Sequence, residues 1–79
     1  MATPEAVIEI GSTGVRLLVA EYTSERKRNI LDRAEMPVSL GRDVFSHGYI
    51  TRETQLQCIH ILLRYKEQLS GWGIKPSQT

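Results

Sequence analysis

The fold of this chain turns on the stretch Ala6-Val-Ile-Glu-Ile-Gly-Ser-Thr-Gly-Val-Arg-Leu-Leu-Val-Ala-Glu21. Two apolar runs of β-type residues, Val7 to Ile10 and Val15 to Ala20, flank the short loop Gly11-Ser12-Thr13-Gly14. Glycine permits backbone dihedrals closed to other residues and lets a ligand approach the main chain. A turn of this kind can aim several N–H groups and the Ser12 and Thr13 hydroxyls at one point. Such an arrangement suits the acceptor oxygens and negative charge of a phosphate. A plain four-residue hairpin connection satisfies the same pattern with no ligand at all.

Outward from this stretch, strand one is expected at Ala6 to Ile10 and strand two from about Val15 to Tyr22. Val15, Leu17 and Val19 share one face of strand two, and Arg16, Leu18, Ala20 and Tyr22 share the other. Neither face is fully polar, which predicts a central strand covered from both sides. The polar run Thr23 to Asn29 reads as a hairpin tip. Strand three is expected from Asn29 to Leu40, with Ile30, Ala34, Met36, Val38 and Leu40 on its apolar side. Pro37 cannot donate to a ladder, so this strand belongs at a sheet edge. The order is then strand three, strand two, strand one.

The segment Gly41 to Gly48 reads as a turn-rich link in which Val44 and Phe45 can act as plugs. Thr51 is placed to cap a helix from Arg52 to Ser70 whose apolar stripe is Leu56, Ile59, Leu62, Leu63 and Leu69. Gly71 and Gly73 can end it, with Trp72 folding back onto its last turns. Residues 75–79 carry no pattern and are expected to be a disordered tail.

The 79 residues make one small domain at most, burying only about 60% of the unfolded surface at this size. A net charge of +1 gives no bulk electrostatic reason to expect nucleic acid or a membrane surface as partner. The single cysteine, Cys58, excludes an internal disulfide framework and reads as a small apolar filler. The opening Met1-Ala-Thr-Pro-Glu5 does not read as a leader, so the cytoplasm is the expected compartment.

In the order of its motifs the chain resembles the exopolyphosphatase and guanosine pentaphosphate phosphohydrolase (Ppx/GppA) family of the actin-like superfamily. That family opens Ile-Asp-Ile-Gly-Ser-Asn-Ser before a strand beginning Val/Phe-Arg-Leu. Here the matching residues are Ile8-Glu9-Ile10-Gly11-Ser12-Thr13-Gly14-Val15-Arg16-Leu17. Leu31-Asp32-Arg33, Leu40-Gly41-Arg42 and Gly48-Tyr49-Ile50-Thr51 extend the resemblance, which covers residues 5–74. It implies an α/β fold: a partial ribonuclease H-like (actin-like ATPase) lobe, in which a three-stranded antiparallel meander is followed by one long helix. Further strands of such a lobe would pair parallel to strand one.

The resemblance also implies an N-terminal portion of a phosphoanhydride hydrolase that uses Mg²⁺ and acts on polyphosphate or guanosine pentaphosphate. Gly11, Ser12, Thr13 and Gly14 would contact phosphate, Arg16 would offset its charge, and Glu9 would stand near the metal. Glu9 replaces the family's Asp, and Thr13 and Gly14 replace Asn and Ser. An added methylene moves the carboxylate by more than an ångström, a displacement that can cost about a hundredfold in rate. The family's catalytic base and second phosphate loop are absent from this sequence, so these residues alone are expected to be inactive. The alternative is a non-catalytic interaction module. Its strand-one edge, Val7 to Ile10, would then pair with a partner strand or with a second copy in a homo-oligomer.

Several residues have plainer readings. Arg26-Lys27-Arg28 lacks interleaved aromatics and reads as a solvated tip. His47 and His60 have no ligand partner at zinc spacing. Arg42 and Asp43 read as an ordinary turn ion pair.

Overall fold

The computed structural model describes residues 3–79. Met1 and Ala2, the start of the segment read as carrying no leader, lie outside the described residues. Three strands, β1 (Pro4–Ile10), β2 (Gly14–Tyr22) and β3 (Arg28–Pro37), form one antiparallel sheet in the order β1-β2-β3. Two helices follow, α1 (Leu40–His47) and α2 (Arg52–Gly71), and a single 3₁₀ turn covers Pro76–Gln78. The meander and the long helix are as expected, but β3, expected to run on to Leu40, ends at Pro37, and Leu40 begins α1.

Cross-strand partners share a face, so the register sorts the side chains. Val15, Leu17 and Val19 of β2 stand opposite Ile10, Ile8 and Ala6 of β1 and opposite Met36, Ala34 and Asp32 of β3. On this face Val15 and Val19 are 0% exposed and Leu17 2%. Helix α2 covers them with Ile61, Tyr65 and Leu69. Cys58 and Leu62 pack beside this cluster. The buried stripe of α2 is therefore Cys58, Ile61, Leu62, Tyr65 and Leu69, at i, i+3, i+4, i+7 and i+11. Of the expected stripe, Leu62 and Leu69 stay inside, while Leu56, Ile59 and Leu63 are about half exposed. The helix has two apolar stripes, and local spacing does not decide which one meets the sheet.

The second face of β2 is open rather than covered. Arg16 and Tyr22 are exposed and Leu18 is half-buried. In β3 the pairing slips between Val19 and Ala20, where Asp32 and Ile30 are the successive partners and Leu31 is the extra residue. The bulge moves Leu31 against the core and leaves Ile30 37% exposed, reversing the side expected for Ile30. At the hairpin tip Arg26 takes φ 61°, and the Thr23 N–H donates to the Lys27 carbonyl at 2.9 Å.

The segment Gly41 to Gly48, expected as a turn-rich link, instead forms most of helix α1 and its closing glycine. Its ends carry the signal that composition hid. The Asp43 N–H donates to the Ser39 carbonyl at 3.1 Å, and Gly48, at φ 78°, closes the helix with its N–H on the Val44 carbonyl at 2.8 Å. Neither plug enters the core, and Phe45 is 93% exposed.

Thr51 caps α2 as expected: its Oγ1 accepts from the Thr54 N–H at 3.3 Å. At the far end Gly73 adopts φ 71°, and the Ile74 N–H donates to the Leu69 carbonyl at 3.0 Å. This six-to-one bond is the Schellman ending, and it buries Ile74 against the core. The Trp72 indole reaches β3 instead of the helix end, donating to Asp32 Oδ2 at 3.2 Å, and the Gln68 amide donates to the same oxygen at 2.6 Å. These two donors, Gln68 first, hold the Asp32 carboxyl below its ordinary range. Instead of a patternless tail, the 3₁₀ turn returns to the sheet, where the Gln78 amide donates to the Pro4 carbonyl at 3.5 Å.

Candidate functional site: the Gly11 to Gly14 loop

The loop joins β1 to β2 and is fixed by three backbone bonds. The Gly11 N–H donates to the Gly14 carbonyl at 2.9 Å, the Gly41 N–H to the Ser12 carbonyl at 2.8 Å, and the Val38 N–H to the Thr13 carbonyl at 3.2 Å. The Ser12 and Thr13 carbonyls thus bond to the β3–α1 connection, which buries Val38 and begins α1. The N–H groups and hydroxyls of Ser12 and Thr13 have no protein partner among the described residues, and both side chains are exposed. Four donors therefore sit at one exposed turn where the Ser12 and Thr13 carbonyls are bonded to the β3–α1 connection.

The glycines act by their size rather than by unusual dihedrals. Gly48 and Gly73 are the glycines with positive φ among the described residues, and neither Gly11 nor Gly14 is one of them. A Cβ on Gly14 would stand 2.9 Å from the Met36 carbonyl oxygen, and a Cβ on Gly41 would stand 2.8 Å from Ser12 Cβ. Close approach of β3 and of α1 is the reason for glycine at those two positions. Gly41, a residue the sequence reading left out of the site, proves as tightly engaged with the loop as Gly14. Its signal in the sequence was its place in the Leu40-Gly41-Arg42 segment.

Arg16 and Glu9 face each other across β1 and β2, one pair in from Ile10 and Val15, on the sheet face away from α2. Glu35 is opposite Arg16 on the other side, and Arg16 Nε lies 3.4 Å from Glu35 Oε1. Both side chains are more than 60% exposed, so the pair is solvent-screened. No hydrogen bond joins Arg16 to the loop among the described residues. Beside the loop, Ile10, Leu40, Gly41, Val44 and Phe45 line an open apolar recess of about 530 Å³.

The structure brings Gly11, Ser12, Thr13 and Gly14 together and sets Glu9 and Arg16 on the adjoining outer face. Among the described residues no three His, Cys, Asp or Glu side chains group as a metal site. Glu9 is a single carboxylate opposite an arginine. A Mg²⁺ centre needs several oxygen ligands, which these residues do not bring together, so no metal-dependent step is assigned to them.

Asp43 is engaged elsewhere. The Thr51 N–H and hydroxyl donate to its Oδ2 at 2.9 Å and 2.7 Å, tying α1 to the start of α2. The neighbouring Thr54 hydroxyl and these two Thr51 donors hold the Asp43 carboxyl below its ordinary range. No ion pair joins Asp43 to Arg42 among the described residues. No described helix is long and apolar enough to cross a membrane.

The antiparallel meander followed by a long helix matches part of a solved Ppx/GppA protein of the actin-like ATPase fold. A crystal structure of the Ppx/GppA family member from Aquifex aeolicus superposes on 95% of this chain with a TM-score of 0.87 and 27% sequence identity. The resemblance to this family read from the sequence is thereby carried by the structure as well. The chain spans 24% of the length of that relative's chain. A scan of protein-family models found no match, and a search of curated proteins found none either.

Proposed function

We propose that this chain is the N-terminal portion of a Ppx/GppA-type phosphohydrolase lobe and contributes one phosphate-binding loop. The observation that carries this reading is the pair of unpartnered N–H groups and hydroxyls of Ser12 and Thr13, on a loop anchored through its carbonyls. Such donors converge on an anion without needing to rearrange first. Gly11 and Gly14 keep the main chain accessible, and Arg16, two residues beyond Gly14, adds a positive charge that a phosphate chain can take from Glu35. Glu9 is the candidate metal neighbour in a complete lobe, where Mg²⁺ would find its remaining ligands on other segments. The substrate class is a phosphoanhydride, polyphosphate or guanosine pentaphosphate. The base that activates water and the opposing phosphate loop are not among these 79 residues, so turnover is not assigned to them.

The test is titration of the isotopically labelled chain with inorganic tripolyphosphate. The amide resonances of Ser12 and Thr13 are expected to shift together and to saturate. Ser12→Ala combined with Thr13→Val should weaken binding about a hundredfold, because each hydroxyl offers one donor, worth about 1.5 kcal/mol, to a charged acceptor. Shifts confined to the basic tip Arg26 to Arg28, with Ser12 and Thr13 unmoved, would overturn the reading.

A further inference from the structure

The bonds from the β3–α1 connection do more than anchor the Gly11 to Gly14 loop. A trans peptide unit is planar and sets its C=O and N–H in opposite directions. The Ser12 carbonyl and the Thr13 N–H belong to one such unit. By holding the Ser12 carbonyl at 2.8 Å, the Gly41 N–H therefore also directs the Thr13 N–H away from α1. The Ser12 N–H shares its unit with the Gly11 carbonyl, which makes none of the loop's three backbone bonds. Of the two main-chain donors, α1 aims Thr13 and leaves Ser12 alone.

Gly41 is the second residue of α1, so the aim of Thr13 depends on where that helix sits. Eight residues are too few to hold a helix in water unaided. None of the eight is buried, Leu40 is the one that packs against the core cluster, and Ser39 gives no side-chain cap. Among the described residues, the side-chain hydrogen bonds from α1 to another element are those of Asp43. Its Oδ2 accepts both the N–H and the hydroxyl of Thr51, the residue that caps α2. Helix α2 is in turn packed on β2 through Ile61, Tyr65 and Leu69. Loop, α1, α2 and sheet thus close a ring, and Gly41–Ser12 and Asp43–Thr51 are the polar joints at which α1 enters it.

We propose that Asp43 is a positioning residue of the phosphate loop. Through Thr51 it seats α1 so that Gly41 holds the Ser12–Thr13 peptide with its N–H ready for an oxyanion. Asp43 itself touches no ligand. A loop released from α1 would have to order that peptide as the anion binds, and the ordering is subtracted from affinity. A tie that served stability alone would leave Ser12 and Thr13 equally competent in its absence. This inference rests on the phosphate-loop reading and adds to it a residue 30 positions beyond Thr13 in the chain.

The experiment titrates the isotopically labelled full chain with inorganic tripolyphosphate as parent, Asp43→Ala and Asp43→Asn, after measuring amide exchange without ligand. Asparagine keeps an oxygen that can accept both Thr51 donors, and alanine keeps none. Asp43→Ala should speed exchange of the Gly41 amide and weaken tripolyphosphate about tenfold, the loss of one readied bond to a charged acceptor. The ligand-induced shift of Thr13 should shrink more than that of Ser12. Asp43→Asn should recover most of each change, and the Ile61, Tyr65 and Leu69 amides should keep parental exchange in both variants. If Asp43→Ala loses the fold, Thr51→Val takes its place: it removes one of the two donors, and about threefold weaker binding is expected. Parental affinity in the folded variant, or equal losses at Ser12 and Thr13, would overturn the proposal. A parent chain whose Ser12 and Thr13 amides ignore tripolyphosphate would overturn the phosphate-loop reading and this inference with it. A parent that binds no better than folded Asp43→Ala overturns this inference alone.

Discussion

The hydroxyl of Tyr65, midway along α2, donates to the main-chain carbonyl of Val15 at 2.7 Å, a buried bond between residues 50 positions apart. It fixes the long helix on β2 one residue beyond the Gly11 to Gly14 loop. Burial also pushes the Tyr65 phenol above its ordinary pKa, with the Glu35 charge adding to the effect. Tyr65→Phe keeps the ring and leaves the Val15 carbonyl without that donor. The expected loss is about 1–2 kcal/mol of unfolding free energy, read from urea denaturation at neutral pH.

Gly14→Ala and Gly11→Ala should separate sharply although both lie in the same loop. The added Cβ at Gly14 meets the Met36 carbonyl at 2.9 Å, which is backbone and cannot swing away, whereas at Gly11 the nearest such atom is 3.6 Å away. Thermal melts should place Gly14→Ala about 1–3 kcal/mol below the parent and Gly11→Ala within about 0.5 kcal/mol of it.

Asp32 gives the fold an acid-sensitive clasp. Its carboxyl is held below the ordinary value of 3.8 by the Gln68 amide first and the Trp72 indole next. A depressed folded pKa contributes stability above the unfolded value that is lost as pH falls through the folded one. Stability should therefore drop as pH is lowered below about 3.8, and Asp32→Asn should flatten that part of the curve. Urea midpoints measured between neutral pH and pH 2, with Trp72 fluorescence as the probe, give the comparison.

Phe45 stands 93% exposed on α1 and makes no contribution to the core. Phe45→Ser is expected to change stability by less than about 0.5 kcal/mol while raising the concentration at which the chain stays monodisperse in light scattering.

The chain alone should release no inorganic phosphate from long-chain polyphosphate, with or without added Mg²⁺. A colorimetric phosphate assay showing steady release above the uncatalysed rate would mean that these residues carry a catalytic base not recognised among them.

Much of the architecture was legible along the chain because its determinants are local. The alternation of Val15, Leu17 and Val19 set the inner face of β2, Pro37 put β3 at the sheet edge although the strand was expected to run on to Leu40, and Thr51 with Gly73 marked both ends of α2. The Gly11 to Gly14 loop was legible as a loop, and its neighbours pointed to a known family. Helix α1 was missed because Gly41 and Gly48 suggested turns. Gly48 is the left-handed stop of a helix, and Gly41 is small so that α1 can touch Ser12.

The sequence by itself determined the order of the elements, the hairpin loop and the family likeness, since each is written in short-range patterns of size, polarity and turn chemistry. Only the tertiary structure decided which of two apolar stripes on α2 is buried, that Leu31 replaces Ile30 at the bulge, and that the second face of the sheet is open. It also decided that the Ser12 and Thr13 carbonyls are bonded to the β3–α1 connection while their N–H groups have no partner among the described residues. The reason is physical: two helical stripes of similar hydrophobicity have nearly equal local preference. Contacts between residues far apart in the chain, such as Tyr65 with Val15 and Gly41 with Ser12, choose between them.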